Sequence, residues 1–387
     1  MIMTYHPYVI ATPQAALDDL RRRLRQTRWP DEVRGAGWDY GVPVAFLRDL
    51  TSYWAETFDW RAQEDRLNSF AHYRIQLTGL GIHFIYERGR GPHPIPLLIT
   101  HGWPSSFLEM LELIPLLTDP ARYGGDPADA FDVIVPSIPG YAFSDPPLQR
   151  GFSYPDIAGL WIQLMEALGY ARFGAHAHDH GAAVMTHVLV KHPERVIGYH
   201  TTEPSIPGPN LTLDSPDLSV EERAFLEIRS AWEAQDDGYA RVQSTRPQTL
   251  AYGLNDSPAG LAAWLLDKWY AWTAPPSGNL EDSFSRDFLL STVTLYWLTE
   301  TVNATARAYF EGAHDPRRLQ PDFTIQVPTG VSLGATQGIE RPPREFAARR
   351  FQDIRYWIEL GRGGHFLAGE EPALLAESLR SFFRMLR

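Results

Sequence analysis

A short stretch of histidines and small residues has the composition needed for nucleophilic chemistry. Residues 176–183 read H-A-H-D-H-G-A-A and follow a strand-like apolar run. Gly181 and the two alanines after it allow a tight turn from a strand into a helix, in which a strained central residue projects its side chain above a sheet. That central residue is Asp179. A carboxylate in this position attacks an electrophilic sp³ carbon and forms an enzyme ester, whose hydrolysis requires an activated water.

Two other interpretations of this stretch are open. Aspartate is a favoured N-cap residue, so Asp179 taken alone fits a simple helix start equally well. His176, His178 and His180 together with Asp179 also suggest a hydrolytic metal site. The spacing disfavours a metal, because histidine-rich metallo-hydrolase motifs separate the second histidine from the aspartate by one residue and none intervenes here. The chain has no cysteine, which excludes a thiol nucleophile and cysteine-bound metals.

Two further motifs supply groups that would complete such a site. H-G-W-P at residues 101–104 directly follows an apolar run, where a loop can donate a backbone N–H to an oxyanion. We therefore expect the amides of Trp103 and His180 to form an oxyanion hole. His365 follows two glycines and precedes the last helical stretch. It is the natural general base, and the order of nucleophile before base fits that role.

The candidate groups lie at the ends of predicted strands. Apolar runs predict strands at residues 73–77, 82–87, 95–100, 131–136, 170–175, 196–202, 325–333 and 354–360. Helical periodicity predicts helices at residues 13–25, 44–58, 154–168, 186–192 and 372–387. This order predicts an α/β fold with a mostly parallel central sheet and helices on both faces. In such a fold, functional groups gather at the carboxyl ends of the strands.

The same alternation divides the chain into four parts. Residues 1–72 form a helical N-terminal extension, and the sheet begins in a first core segment at residues 73–204. From residue 205 to residue 321 the strand pattern gives way to helical segments rich in Trp, Tyr and Leu, which predicts an inserted lid. Residues 322–387 return to the strand pattern and complete the core.

The composition indicates a folded protein and disfavours binding to nucleic acids or anionic membranes. The 387 residues are 44% hydrophobic and 12% aromatic, which is typical of a folded chain with a large core. With 35 basic and 47 acidic residues, the formal net charge is −12. The average field would therefore repel nucleic acids and anionic membranes. Because no stretch resembles a membrane span or a signal peptide, we expect a cytoplasmic protein without a membrane anchor.

Five motifs together resemble those of the microsomal-type epoxide hydrolases. They are H-G-W-P at residues 101–104, S-I-P-G-Y-A-F-S at 137–144, the turn at Asp179, R-P-Q-T-L-A-Y-G-L-N-D-S-P at 246–258 and R-G-G-H-F at 362–366. The resemblance spans nearly the whole chain, since T-R-W-P at residues 27–30 also matches an N-terminal extension that this branch carries. It implies an α/β-hydrolase fold, a small-molecule epoxide substrate and no cofactor.

The resemblance further implies two lid tyrosines that hydrogen-bond to the epoxide oxygen. Tyr252, within residues 246–258, matches the first of them, and Tyr309 in A-R-A-Y is similar to the second. A phenol with a pKa of ~10 donates to a developing alkoxide without being ionised at neutral pH.

The chain departs from the family pattern at two positions that bear on the mechanism. Gln337 stands where the family has the acid that orients the histidine, and an amide cannot stabilise an imidazolium as a carboxylate does. Glu203, at the end of the strand predicted at residues 196–202, is the preferred replacement, with Glu340 as the alternative. His180 stands where the family usually has tryptophan, which argues against dehalogenation and brings a titratable group next to Asp179.

The sequence therefore predicts an epoxide hydrolase that forms a vicinal diol through an ester on Asp179. His365, oriented by Glu203, activates the water, and the aromatic lid indicates a bulky or aromatic substrate. A hydrolase of esters or lactones and a binding protein that retained the pocket without turnover are the alternatives. Self-association as a homodimer, through the N-terminal segment or the lid, is the expectation for protein partners.

Overall fold

One nine-stranded sheet organises the part of the chain that the structure describes. The computed structural model describes residues 4–273, 275, 277–317, 319–335 and 341–387. The strands are β1 Tyr5–Pro7, β2 His72–Leu77, β3 Leu80–Glu87, β4 Ile95–Thr100, β5 Phe131–Pro136, β6 Phe173–Ala177, β7 Val196–Thr201, β8 Thr329–Leu333 and β9 Ile354–Glu359. The α-helices are α1 Gln14–Arg25, α2 Val44–Glu56, α3 Trp60–Leu67, α4 Leu113–Thr118, α5 Tyr154–Ala167, α6 Asp179–Lys191, α7 Val220–Gln235, α8 Gly238–Thr245, α9 Pro247–Leu254, α10 Pro258–Thr273, α11 Arg286–Thr299, α12 Val302–His314, α13 Arg344–Ala348, α14 Leu367–Glu370 and α15 Pro372–Arg384.

The sheet is mostly parallel. Its strand order is β1-β2-β3-β5-β4-β6-β7-β8-β9. The pairs β1–β2, β2–β3 and β3–β5 are antiparallel. The pairs β5–β4, β4–β6, β6–β7, β7–β8 and β8–β9 are parallel. The carboxyl ends of the parallel strands therefore share one edge of the sheet. The predicted α/β fold with a mostly parallel sheet is confirmed.

Several predicted boundaries change in the structure. The strands at residues 95–100 and 131–136 are found as predicted, because a strand buried on both faces needs a continuous apolar run. The predicted strand at residues 170–175 begins instead at Phe173 and runs to Ala177. Helix α6 begins at Asp179 and not at residue 186, so the small residues of the turn already belong to the helix. β1 was not predicted, since its three residues, one half-buried and two exposed, carry no periodicity.

Helices α7 to α12 lie between β7 and β8 and form the lid, and the N-terminal helices contact them. Trp54 of α2 donates its indole N–H to Thr294 Oγ1 of α11 at 2.9 Å, in a buried position. Tyr53 donates to Asp287 at 2.9 Å. The N-terminal extension therefore packs against the lid and donates hydrogen bonds to it. The domain boundaries drawn from the sequence stay predictions. Within the described residues, no helix is long and apolar enough to cross a membrane.

Candidate active site

The turn between β6 and α6 holds Asp179 in a strained conformation. Asp179 is the first residue of α6 and has a φ of +50°, in the left-handed region that non-glycine residues rarely adopt. This backbone aims the carboxylate away from the helix, into the space above the carboxyl edge of the sheet. Strain of this kind persists only where the surroundings enforce it, and it is concentrated at functional sites.

Two glycines allow the close approach that this turn requires. A Cβ added at Gly181 would lie 2.2 Å from the carbonyl oxygen of Thr100, at the end of β4. A Cβ added at Gly102 would lie 2.4 Å from the Cβ of Asp179. The loop after β4 and the start of α6 therefore touch backbone to backbone, which brings the loop amides to the carboxylate.

The two predicted amides hold one oxygen of Asp179. The backbone N–H of Trp103 donates to Asp179 Oδ1 at 2.8 Å, and the backbone N–H of His180 donates to the same oxygen at 2.6 Å. Oδ1 thus occupies an oxyanion hole, while the other oxygen, Oδ2, has no share in it. Burial alone would raise the pKa of Asp179, but interactions with the imidazoles of His180 and His365 and with the two amides together hold that pKa below its usual value. The carboxylate is therefore ionised, and Oδ2 is the oxygen that the two amides leave unengaged.

His365 lies beside the free oxygen of the nucleophile. It follows β9, and its Nε2 is 3.9 Å from Asp179 Oδ2. This distance exceeds a hydrogen bond and suits a base that acts on a water attacking the carboxyl carbon. The backbone N–H of His365 donates to the carbonyl of Trp272 at 3.2 Å, and the two rings pack with centroids 4.8 Å apart. The lid therefore fixes the position of the base.

The preferred acid, Glu203, lies at the turn itself. Its side chain is buried, and its Oε2 accepts a hydrogen bond from the backbone N–H of Asp179 at 2.8 Å. This contact stabilises the strained backbone of the nucleophile, a role that the sequence did not suggest. Glu340 and Gln337 lie outside the described residues.

Tyr309 lines the same cavity as Asp179. It lies on α12 with its ring 4.4 Å from that of His180 and 5.7 Å from that of Trp103, both edge-on. Its hydroxyl is buried, and it acts on the hydroxyl of Tyr239, whose pKa it lowers against the effect of burial. A buried phenol whose hydrogen bonding is incomplete gains from a ligand that supplies a further partner.

The prediction for Tyr252 is wrong, and Tyr239 takes the place expected of it. Tyr252 lies on α9 with 73% of its surface exposed, outside the cavity. Tyr239 on α8 stacks on Trp103 at 5.1 Å and approaches Tyr309 edge-on at 5.9 Å. Burial raises the pKa of Tyr239 and of Tyr309 well above the usual value, so both phenols keep their protons. In the sequence, Tyr239 lies shortly before the motif at residues 246–258, which could have pointed to it. It belongs to a different helix from the motif, because α9 begins at Pro247.

The three histidines of the turn face three different partners. His176 Nδ1 lies 3.1 Å from His200 Nδ1, and burial lowers the pKa of His176 to about 3. His180 Nδ1 lies 2.9 Å from the hydroxyl of Tyr154. Because the rings diverge, they do not form a common ligand set. Among the described residues, no group of three or more His, Cys, Asp or Glu side chains is arranged to hold a metal ion.

His178 and Glu109 form a buried ion pair beneath the site. His178 Nε2 is 3.4 Å from Glu109 Oε2, and Ser105 donates to the same oxygen at 2.6 Å. Burial opposes both charges, yet their mutual attraction raises the pKa of His178 and lowers that of Glu109. This pair was not predicted, because 69 positions of the chain separate its members.

The carboxylate of Asp179 opens onto a cavity of about 210 Å³, which His365, Glu203 and the two tyrosines Tyr239 and Tyr309 also line. Its walls come from the sheet edge on one side and the lid on the other. They are formed by Tyr154, Asp179, His180, Ala183, Glu203, Ile206, Trp232, Tyr239, Trp272, Tyr309 and His365.

Comparison with known proteins agrees with this geometry. The family described as epoxide hydrolase N terminus matches residues 5–110, and the alpha/beta hydrolase fold family matches residues 95–249. A putative epoxide hydrolase of Stigmatella aurantiaca is 44% identical over 98% of this chain and 85% of its own length. The chain belongs to the epoxide hydrolase family. Epoxide hydrolase 1 of Sus scrofa, 33% identical over 98% of this chain and 88% of its own, is a further relative.

Solved structures extend the similarity of this epoxide hydrolase to the whole fold. The juvenile hormone epoxide hydrolase of Bombyx mori superposes with a TM-score of 0.89 at 27% identity, covering 100% of this chain and 95% of the other. The Aspergillus niger epoxide hydrolase gives 0.86 at 28% identity, covering 100% and 97%. The predicted family and α/β-hydrolase fold are therefore confirmed.

Proposed function

We propose that the protein hydrolyses an epoxide to a vicinal diol through a covalent ester on Asp179. The observation that carries this proposal is the state of the carboxylate. Oδ1 accepts hydrogen bonds from the backbone N–H groups of Trp103 and His180, while Oδ2 lies 3.9 Å from His365 Nε2. An ionised carboxylate whose one oxygen is held by hydrogen bonds attacks with the other oxygen. The held oxygen, Oδ1, then becomes the carbonyl oxygen of the ester and already lies in the oxyanion hole.

In the first step Asp179 Oδ2 bonds to an epoxide carbon, and the bond from that carbon to the ring oxygen breaks. The ring oxygen becomes an alkoxide and takes a proton from Tyr309 or Tyr239. Both phenols are buried in the cavity wall with raised pKa values, so they are neutral donors until the alkoxide forms.

In the second step His365 takes a proton from water, and the hydroxide attacks the carboxyl carbon of Asp179. The negative charge develops on Oδ1, which the amides of Trp103 and His180 stabilise. The tetrahedral intermediate expels the diol, whose oxygen takes the proton of the new carboxylic acid. His365 returns its proton to the tyrosinate, so the enzyme is regenerated and one water is consumed.

Removing a single lid hydroxyl tests the first step. We expect Tyr309→Phe or Tyr239→Phe to slow ester formation about 10²–10³-fold, the cost of losing one donor to a developing oxyanion. Rapid-quench measurement of ester formation on Asp179 checks this. Tyr252→Phe is the matched control and should retain wild-type rates, since that side chain is 73% exposed. A strong loss in Tyr252→Phe with none in Tyr239→Phe would reverse the assignment.

Glu203 is our candidate for the acid that stabilises the imidazolium of His365, with Glu340 as the alternative. Glu203 is buried in the same cavity wall as His365, which supports the choice. Glu203→Gln keeps a carbonyl oxygen that can accept the N–H of Asp179 but removes the charge. We expect ester hydrolysis to slow by up to ~10⁴-fold, as when the acid of a catalytic triad is made neutral, with ester formation retained. The opposite pattern, a loss only in Glu340→Gln, would transfer the role to Glu340.

The substrate class follows from the cavity. Five of the eleven residues that form its wall are Trp or Tyr, which favours an apolar or aromatic epoxide. Incubation with styrene oxide and chromatographic detection of 1-phenyl-1,2-ethanediol tests the reaction class directly. Formation of the diol without an added cofactor is the expected result. A cytoplasmic location and a homodimer stay predictions.

A further inference from the structure

His180 and Tyr154 form a hydrogen-bonded pair in the cavity wall. Both side chains line the cavity next to Asp179, and the hydroxyl of Tyr154 lies 2.9 Å from Nδ1 of His180. His180 is only 5% exposed. The mechanism above uses the backbone amide of His180 but leaves its imidazole and the phenol of Tyr154 without a function.

The hydrogen bond is compatible with two tautomers of His180, and the one that gives the imidazole a donor toward the cavity has the phenol of Tyr154 donating to Nδ1. Burial raises the pKa of Tyr154 above its usual value, and it lowers the pKa of His180 despite the nearby charge of Asp179. Both groups are therefore neutral near pH 7. A phenol that donates its proton to Nδ1 leaves the other ring nitrogen, Nε2, as an N–H donor.

That Nε2–H group faces the reaction volume. Among the residues that the structure describes, no hydrogen bond engages it. Asp179 Oδ1 lies 4.0 Å away and is already held by two amides. The ring of Tyr309, which carries a proton donor for the epoxide oxygen, is 4.4 Å from the imidazole. The free donor is therefore next to both the attacking carboxylate and the group that binds the epoxide oxygen.

We propose that His180 Nε2–H, held by Tyr154, binds a hydroxyl or carbonyl oxygen carried by the carbon next to the epoxide ring. The inference rests on the proposed function and refines it, because it selects functionalised epoxides over hydrocarbon epoxides. A donor that is already oriented forms this bond at little entropic cost.

A pair of substrates that differ by one hydroxyl tests the proposal. The probes are trans-2,3-epoxyhexan-1-ol and trans-2,3-epoxyhexane, assayed for diol formation over a range of concentrations. We expect the wild type to prefer the alcohol about tenfold in kcat/KM, the value of one hydrogen bond. His180→Phe should reduce this preference to about one. Tyr154→Phe should reduce it in part, since Nδ1 then competes for the proton.

The readout is the ratio of the two substrates, so a general loss of activity in a variant does not mimic the effect. Tyr123→Phe, at a tyrosine that is 47% exposed, is the matched control and should keep the wild-type ratio. An equal loss on both substrates in His180→Phe, or no preference in the wild type, would overturn the subsite. If the wild type hydrolysed styrene oxide but neither of these epoxides, the proposed function would stand and the subsite would be overturned, whereas failure with styrene oxide as well would overturn both.

Discussion

Asp179→Ala should reduce diol formation to the uncatalysed background, a loss of about 10⁴–10⁶-fold, as for other covalent nucleophiles. Alanine offers no oxygen to the epoxide carbon, and the remaining groups are arranged around the carboxylate. The two amides of the oxyanion hole point at Oδ1, and His365 Nε2 lies 3.9 Å from Oδ2. Steady-state diol formation from styrene oxide measures the effect, and circular dichroism verifies that the variant is folded.

Isotope labelling distinguishes a mechanism through an ester on Asp179 from direct attack of water on the epoxide. With excess wild-type enzyme and one turnover in H₂¹⁸O, the oxygen added to the diol should be unlabelled, because it comes from Asp179 Oδ2. The ¹⁸O should appear instead in the carboxylate of Asp179. The matched control for the variant is Asp214→Ala, at an exposed loop aspartate that should keep full activity. Labelled diol in a single turnover, or rapid turnover by Asp179→Ala, would contradict the covalent step.

The features that local sequence specifies were predictable. β4 and β5 needed only continuous apolar runs, and both strands are found at the predicted residues. The position of Asp179 followed from Gly181 and the adjoining alanines, because only small residues let α6 begin against the carbonyl of Thr100. The oxyanion loop and His365 followed from their places directly after predicted strands. In a parallel sheet those places share one edge, so their proximity is a consequence of topology.

The features that depend on packing between distant segments were not predictable. Tyr239 and Tyr252 are both lid tyrosines on short helices, and only the packing of α8 against Trp103 distinguishes the buried one from the exposed one. The ion pair of His178 with Glu109 joins α6 to the segment after β4, and no periodicity connects them. The contact of Glu203 with the N–H of Asp179 likewise depends on how the end of β7 meets the turn.

His365→Ala should trap the enzyme as its ester. Ester formation requires Asp179 and the lid tyrosines, which the substitution leaves in place, whereas hydrolysis requires a base for water. We expect hydrolysis to slow about 10²–10⁴-fold, the range for loss of a general base. The mass of the intact protein should rise by that of one substrate after mixing with styrene oxide, and fragmentation should locate the addition on Asp179.

The rates of ester formation and ester hydrolysis in that experiment show whether the reaction has two separate steps. Wild-type enzyme, quenched at the same times, should show the adduct only transiently, and His192→Ala, at a histidine just after α6, should behave as wild type does. If His365 were also needed to position the substrate, ester formation would slow together with hydrolysis and no adduct would accumulate. The 3.9 Å gap between Nε2 and Oδ2 argues against that, because the base has no hydrogen bond to the attacking oxygen that its removal could disturb. An adduct that forms at the wild-type rate and then persists would therefore assign the nucleophile to Asp179 and the base to His365 in one measurement.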